Sequence, residues 1–169
     1  MATPAISIRP AKASDESAFW EILRPVIASG DTFVFDPQAP REDVLAFWFG
    51  PGTHTYVAEQ DAQILGGYAL KPNQPGLGAH VANSGFVVSP AARGMGLGRA
   101  MGKHCLSEAR RLGFRAMQFN YVVSTNEVAL RLWKDLGFEI VGTLPAAFRH
   151  AQHGFVDVYV MFRKLDDVS

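Results

Sequence analysis

The chain has a single cysteine, Cys105, in 169 residues, so an internal disulfide is excluded. It also has no charge excess: 16 Lys and Arg balance 16 Asp and Glu. A general nucleic-acid binder shows a basic surplus, so that class is disfavoured. The local cluster of Arg110, Arg111 and Arg115 reads as a solvated helix end. No apolar run approaches the ~20 residues that cross a bilayer as a helix, and Met1 to Pro4 lack the apolar segment of a signal peptide. With so little cysteine, the expectation is a soluble protein of a reducing, cytoplasmic compartment, with no membrane or nucleic-acid partner and no metal site. The length suits one domain spanning residues 1–169, large enough to bury roughly 70% of its unfolded surface.

Glycine is concentrated in one place, Arg93-Gly94-Met95-Gly96-Leu97-Gly98-Arg99. This run follows an apolar, strand-like stretch from Ser84 to Ser89 and opens a helical stretch that reaches about Leu112. Glycines at alternate positions leave backbone N–H groups uncovered at a helix N-terminus. That end carries partial positive charge and can cradle a phosphate or pyrophosphate. A dinucleotide fingerprint would need a third glycine where Arg99 stands, and a Walker A loop would need Gly-Lys-Ser/Thr closing the interval. By itself the loop is also compatible with a tight turn that binds nothing.

Around it the pattern alternates between strands and helices. Ile6 to Arg9 reads as a strand. Ser14 or Asp15 caps a helix through Phe19, Trp20, Ile22, Leu23, Val26 and Ile27. After a loop holding Phe33, Val34 and Phe35, Pro40 opens a second helix that Gly50 to Gly52 end. Residues 53–59 and 63–70 read as strands joined by a tight turn, and 71–79 as a Pro/Gly-rich loop. Val81 to Val88 is a strand in which Gly85 marks a bulge or a close backbone approach. The helix after the glycine loop puts Leu97, Met101, Cys105 and Leu112 on one face, so Cys105 reads as packing. Ala116 to Val123 is a strand. Ser124 and Glu127 match a capping box for a helix with Val128, Leu132 and Leu136 on one stripe, and Ala129 and Trp133 beside it. Both of these helices end in Leu-Gly-Phe, the Schellman pattern. Residues 138–144 and 155–162 are final strands, the second with Val156, Val158, Val160 and Phe162 on one face. One α/β domain with a mixed sheet is the result.

Two segments together carry a family resemblance. The first is Gly85-Phe86-Val87-Val88 through Arg99. The second is Asn126-Glu-Val-Ala129-Leu-Arg-Leu132-Trp133-Lys-Asp-Leu-Gly137-Phe138. In order, and separated by one strand, they resemble the GNAT superfamily of N-acetyltransferases. The resemblance implies a single domain with a mixed, mostly antiparallel twisted sheet, splayed central parallel strands and flanking helices. It places acetyl-CoA between the strand of Phe86 and Val88 and the strand of Asn120. Backbone N–H groups from Arg93 through Gly94, Met95, Gly96, Leu97 and Gly98 to Arg99 would hold the pyrophosphate. Main chain at Phe86, Val87 and Val88 would pair with the pantetheine arm and acetyl carbonyl, and Asn126, Ala129 and Trp133 would flank the pantetheine and thiol end. The family often has a tyrosine at the Trp133 position, proposed to protonate the leaving thiolate. Tryptophan cannot do this; Tyr121, Tyr159 or water could, so no general acid is assigned.

A closer similarity, carried by Asn83, Asn120 and Asn126 in their local contexts, is to fungal N-acetyltransferases of proline analogues. In that group asparagines matching Asn83 and Asn120 are thought to line the acceptor site. Either can also be a strand asparagine satisfying a splayed or bulged backbone. The implied acceptor is a small-molecule amine such as an amino acid or proline-like analogue. A protein N-terminus or lysine is the alternative acceptor, and a non-catalytic acyl-CoA sensor the alternative class. No compelling general base is visible. His54, His80, His150 and His153 read as surface or loop histidines. Asp157, alternating with Tyr159, reads as an acceptor or proton-relay group or as an exposed edge residue. Phe47-Trp48-Phe49 reads first as helix packing, with an acceptor-pocket wall or a homodimer contact as the alternatives.

Overall fold

The computed structural model describes residues 5–169. Seven strands form one sheet in the order β1-β2-β3-β4-β5-β7-β6. They are β1 (Ser7–Pro10), β2 (His54–Gln60), β3 (Gln63–Pro72), β4 (Val81–Val88), β5 (Ala116–Val123), β6 (Glu139–His150) and β7 (Gly154–Lys164). Every pairing is antiparallel except β4 with β5. Helices α1 (Glu16–Ala28) and α2 (Arg41–Phe49) cover one face; α3 (Leu97–Arg111) and α4 (Glu127–Asp135) cover the other. No helix among the described residues is long and apolar enough to cross a membrane.

Strand alternation divides the core between these faces. Val57, Ala69 and Val87 pack with Phe19, Leu23 and Trp48 on the α1/α2 side. Tyr56, Tyr68, Leu70, Phe119 and Met161 pack with Leu97, Met101, Cys105 and Trp133 on the α3/α4 side. Two glycines of β3 permit close approach. A Cβ on Gly67 would lie 2.4 Å from the Phe19 ring and 2.5 Å from the Tyr56 carbonyl oxygen. On Gly66 it would lie 2.6 Å from the Val87 carbonyl oxygen.

Both Leu-Gly-Phe segments form the expected helix stops. Phe114 N donates to Ala109 O and Gly113 N to Arg110 O; Phe138 N donates to Trp133 O and Gly137 N to Lys134 O. Gly113 and Gly137 adopt φ of 92° and 87°, the left-handed conformation this motif requires.

Several expectations are corrected. Gly85 makes no bulge, because the β3–β4 register runs through it without a shift. Val128 is exposed, while Trp133 and Leu136 are buried. The buried stripe of α4 therefore runs through Ala129, Trp133 and Leu136, because a row of i, i+4 residues slants across the helix face. In β7 both faces are packed: Val158 joins Val123 and Phe148, while Tyr159 and Met161 face the α3/α4 core. β6 continues well past Leu144. Between Leu144 and Phe148 it carries two extra residues relative to β7, a wide bulge containing Pro145 and Ala146, the latter at φ 49°. Asp157 lies on the interior strand β7, not at an edge.

Gly67→Ala should cost about 1–3 kcal/mol of stability, since one of the clashing atoms is backbone and cannot rotate away. Denaturant titration of the variant checks this; an unchanged midpoint would show that α1 does not pack as described.

Candidate active site

The sheet opens at the one parallel pairing among the described residues. β4 and β5 are in register at Val81 with Ala116 and Ala82 with Met117, and no further. Antiparallel pairing alternates the direction of main-chain groups. Ser89 N donates to Leu65 O and Asn73 N to Val81 O, so odd-numbered β4 residues bond to β3. Ser84, Phe86 and Val88 therefore aim their N–H and C=O groups into the opening. Val87 does not: its main chain faces β3 and its side chain is buried on the α1/α2 side. Of the three β4 residues expected to offer main chain, Phe86 and Val88 do so.

The glycine loop stands at one end of this opening. Gly94 and Gly96 adopt φ of 80° and 75°, and a Cβ on either would meet nothing within 4 Å. They are there for backbone conformation, next to open space. Gly98 differs. Its φ is ordinary for a helix and a Cβ there would sit 3.3 Å from Leu132 Cδ2, so its smallness lets α3 approach α4. Gly102, one turn on, repeats this against Leu136 at 2.5 Å. Leu97 has a buried side chain, leaving only its N–H for a ligand. The N–H groups of Leu97, Gly98 and Arg99 lie in the first turn of α3, where no intrahelical carbonyl reaches them. Arg93, Met95 and Arg99 are exposed. The Arg99 guanidinium is 2.6 Å from Asp135 on α4, and Arg93 makes no ion pair among the described residues. An uncovered helix start with positive-φ glycines fits a pyrophosphate.

The opposite wall is α4. Asn126 is its N-cap, with Oδ1 accepting from Ala129 N at 3.2 Å. This corrects the expectation, from the Ser124–Glu127 capping box, that Ser124 caps the helix. The chain makes a turn first, with Asn126 N donating to Val123 O. Ala129 is half-buried behind the cap. Trp133 is buried, its ring centroid 4.7 Å from both Phe86 and Phe119. It forms the aromatic floor joining the two parted strands. Tyr121 donates its hydroxyl to Ala147 O, and Asp157 Oδ1 accepts from Ala146 N at 2.9 Å. Both residues thus hold the β6 bulge.

On the α1/α2 side of the opening, Asn83 and Asn120 meet. Both Nδ2 groups donate to one oxygen, Asn73 Oδ1, at 3.1 and 2.7 Å. Asn120 sits in a one-residue bulge of β5 between Phe119 and Val122, which turns it toward that oxygen. Gln118 Nε2 occupies Asn120 Oδ1 at 2.9 Å. Asn83 Oδ1 has no hydrogen-bond partner among the described residues. Asn73 was not anticipated: it reads as loop, and only the β3–β4 pairing carries it to the other two. His150 is buried rather than on the surface, its Nδ1 accepting from Gln152 N and His153 N. Cys105 is buried and donates to Ser84 Oγ at 3.4 Å; burial pushes its thiol up to about 12. It is packing.

The model of the Acetyltransferase (GNAT) family matches residues 20–138 of the chain. The chain belongs to this family. It is 33% identical over 161 residues to N-acetyltransferase aca1 of Schizosaccharomyces pombe, covering 83% of this chain and 77% of that protein. A GCN5-related N-acetyltransferase from Kribbella flavida has the same fold at TM-score 0.90 and 43% identity, over 95% of this chain and 98% of that one. The acetyltransferase yncA of Salmonella typhimurium, solved with acetyl-CoA, matches at TM-score 0.84 and 25% identity, over 98% and 96%. The protein is thus a GNAT N-acetyltransferase, with acetyl-CoA as acyl donor.

In this acetyltransferase Asn126→Ala should cost about 1 kcal/mol of stability through loss of the cap, and Asn126→Asp should restore it. Thermal melts of the two variants check this. Equal melting temperatures for wild type and Asn126→Ala would return the cap to Ser124.

Proposed function

We propose that the enzyme acetylates the amine of a small molecule by direct transfer within a ternary complex. The observation that carries this reading is the convergence of Asn83 and Asn120 on Asn73 beside the parted strands, on the face opposite the acetyl-CoA helices. Acetyl-CoA enters along α3 and α4, with its pyrophosphate on the N–H groups of the Gly94-to-Arg99 turn. Its pantetheine pairs with the main chain of Phe86 and Val88, and its thioester end lies above the Trp133 floor near Asn126 and Ala129. The amine approaches from the α1/α2 side. Asn83 Oδ1 accepts an amine N–H and so aims the nitrogen lone pair at the thioester carbonyl. Attack forms the C–N bond, the coenzyme thiolate leaves, and the amine proton passes to solvent.

No strong base is needed if the amine is weakly basic. At pH 7.4 a lysine amine near ~10.4 loses about 4 kcal/mol to be neutral, a peptide α-amino group near ~8 under 1; the amine of a free amino or imino acid lies between these or near the lysine value and bears the larger part of that cost. A backbone donor to the oxyanion is worth about 3 kcal/mol, and the inward N–H groups of Phe86 and Val88 are placed to supply it.

A small acceptor is favoured over a peptide by the closure of the same face. Ala151 N, at the β6–β7 turn, donates to Gly30 O at the end of α1 at 3.0 Å. A Cβ on Gly30 would lie 3.1 Å from Ala151 Cβ. An extended chain crossing this face would have to part them.

Thiol release should be faster with free amino acids and cyclic imino acids than with peptides bearing an N-terminal amine or lysine. Preference for peptides would overturn the small-amine reading, and no release with any amine would favour an acyl-CoA sensor. Asn120→Ala should raise the acceptor KM about tenfold, from a lost hydrogen bond and a partner left unpaired at ~1–3 kcal/mol. Acetyl-CoA affinity should be unchanged. Wild-type KM in that variant would return Asn120 to a structural role.

A further inference from the structure

The two acceptor asparagines are held by a third, Asn73. It follows Pro72, the last residue of β3, which lies opposite Ala82 of β4. Its own N–H donates to Val81 O at 2.8 Å, and the proline before it stiffens the approaching chain. The backbone at Asn73 is therefore anchored at the closed end of the opening, where Val81 pairs with Ala116 and Ala82 with Met117. From there its side chain reaches Asn83 on β4 and Asn120 on β5. β4 lies between β3 and β5 in the sheet, so the Asn120 contact spans a strand and ties the two sides of the opening together. Lys71, opposite Asn83 on β3, is turned instead to α2, with its Nζ 3.8 Å from the centre of the Phe47 ring.

These hydrogen bonds also fix which end of each amide points where. An asparagine has one oxygen that accepts and one NH2 that donates, and its terminal torsion is broad and roughly two-fold. Asn73 Oδ1 takes Nδ2 of Asn83 at 3.1 Å and Nδ2 of Asn120 at 2.7 Å, which uses both of its lone pairs. Asn120 Oδ1 is filled by Gln118 Nε2 at 2.9 Å. Turning Asn83 alone would set its oxygen against Asn73 Oδ1. Turning Asn120 alone would do the same and set its nitrogen against that of Gln118. Turning Asn73 alone would bring three NH2 groups together. No member of the set reverses by itself. With both nitrogens drawn to Asn73, the Asn83 oxygen faces away from it and is left to accept from the amine.

We propose that Asn73 is a positioning residue of the acceptor site: it holds the Asn83 oxygen, rather than the Asn83 NH2, toward the amine, and couples that orientation to Asn120. The inference rests on the acceptor role given above to Asn83 and Asn120 and adds the group that orients them. Asn73 takes no proton and forms no bond to the acetyl group.

The test uses Asn73→Ala, which removes the shared oxygen, and Asn73→Asp, whose carboxylate only accepts and so keeps both nitrogens turned toward it. The side-chain NH2 signals of Asn83 and Asn120, assigned through their alanine variants, are read by NMR in isotope-labelled protein. Asn73→Ala should move both toward free-amide values, and Asn73→Asp should leave them hydrogen-bonded. Thiol release is measured with acetyl-CoA and a cyclic imino acid, L-azetidine-2-carboxylate. Each variant is compared on the alkaline plateau of its pH profile, where a carboxylate no longer favours the ammonium form. Asn73→Ala should lower kcat/KM about tenfold with acetyl-CoA affinity intact, and Asn73→Asp should stay within about threefold of wild type. In an Asn83→Ala/Asn120→Ala background, Asn73→Ala should change kcat/KM by less than about twofold, because no amide remains to be oriented. A full loss persisting in that background would make Asn73 a structural loop residue and overturn the inference. Unmoved amide signals overturn it too, as does wild-type kcat/KM in Asn73→Ala beside impaired Asn83→Ala and Asn120→Ala. Loss of turnover in Asn73→Asp would show that the Asn83 NH2 is the end that faces the amine. Wild-type kinetics in all three alanine variants overturn the acceptor role of the asparagines along with it. Should only peptides be turned over, the small-amine reading falls, and the same comparison with the dipeptide Ala-Ala decides Asn73.

Discussion

The parting of β4 from β5 after two paired residues is the constraint on which the site depends. A buried sheet rarely leaves main-chain groups unmatched, because each unpaired one costs as much as a lost hydrogen bond. Here Ser84, Phe86 and Val88 turn their N–H and C=O groups toward a strand that has moved away. The opening is stable because its sides are held independently. β3 grips β4 along its whole length, and β7 grips β5 on either side of the Asn120 bulge. The floor is apolar, with the Trp133 ring bridging Phe86 and Phe119. Such a gap is a ready-made edge for a ligand that brings its own amides, which is what the pantetheine arm of acetyl-CoA carries.

The two helices at the opening are set by different uses of glycine. Gly94 and Gly96 give the turn its left-handed residues and open space, while Gly98 and Gly102 let α3 lie close against α4. A motif that looks uniform along the chain is therefore half ligand loop and half helix contact. The faces divide the chemistry similarly. In the proposed function the α3/α4 face receives the acyl donor, while the α1/α2 face carries the three asparagines, Lys71 and the aromatic wall of α2.

What was legible in the sequence was local. The helix stops at Gly113 and Gly137, the limits of β4 and β5, and the glycine loop depend on a few neighbouring residues, and they stand where the pattern put them. Features that depend on pairing were not legible. Asn73 reads as loop because its partners, Asn83 and Asn120, come to it only through the sheet. Lys71 reads as part of the same loop; β3 runs two residues further than its apolar pattern, and that extension puts Lys71 opposite Asn83. The bulge after Leu144 contains Pro145, which reads as a strand end, yet Asp157 and Tyr121 hold the strand through it. Asn126 and Ser124 are both good caps, and only the turn closed by Asn126 N and Val123 O decides between them.

The central claim is that acetyl-CoA completes the open edge of β4. Residue-resolved amide hydrogen exchange, with and without acetyl-CoA, tests it most directly. The account predicts strong new protection at the N–H groups of Phe86 and Val88 and in the Gly96-to-Arg99 turn. Val87, already bonded to β3, should change little. Protection confined to the α1/α2 face, or equal protection of Val87 and its two neighbours, would contradict it.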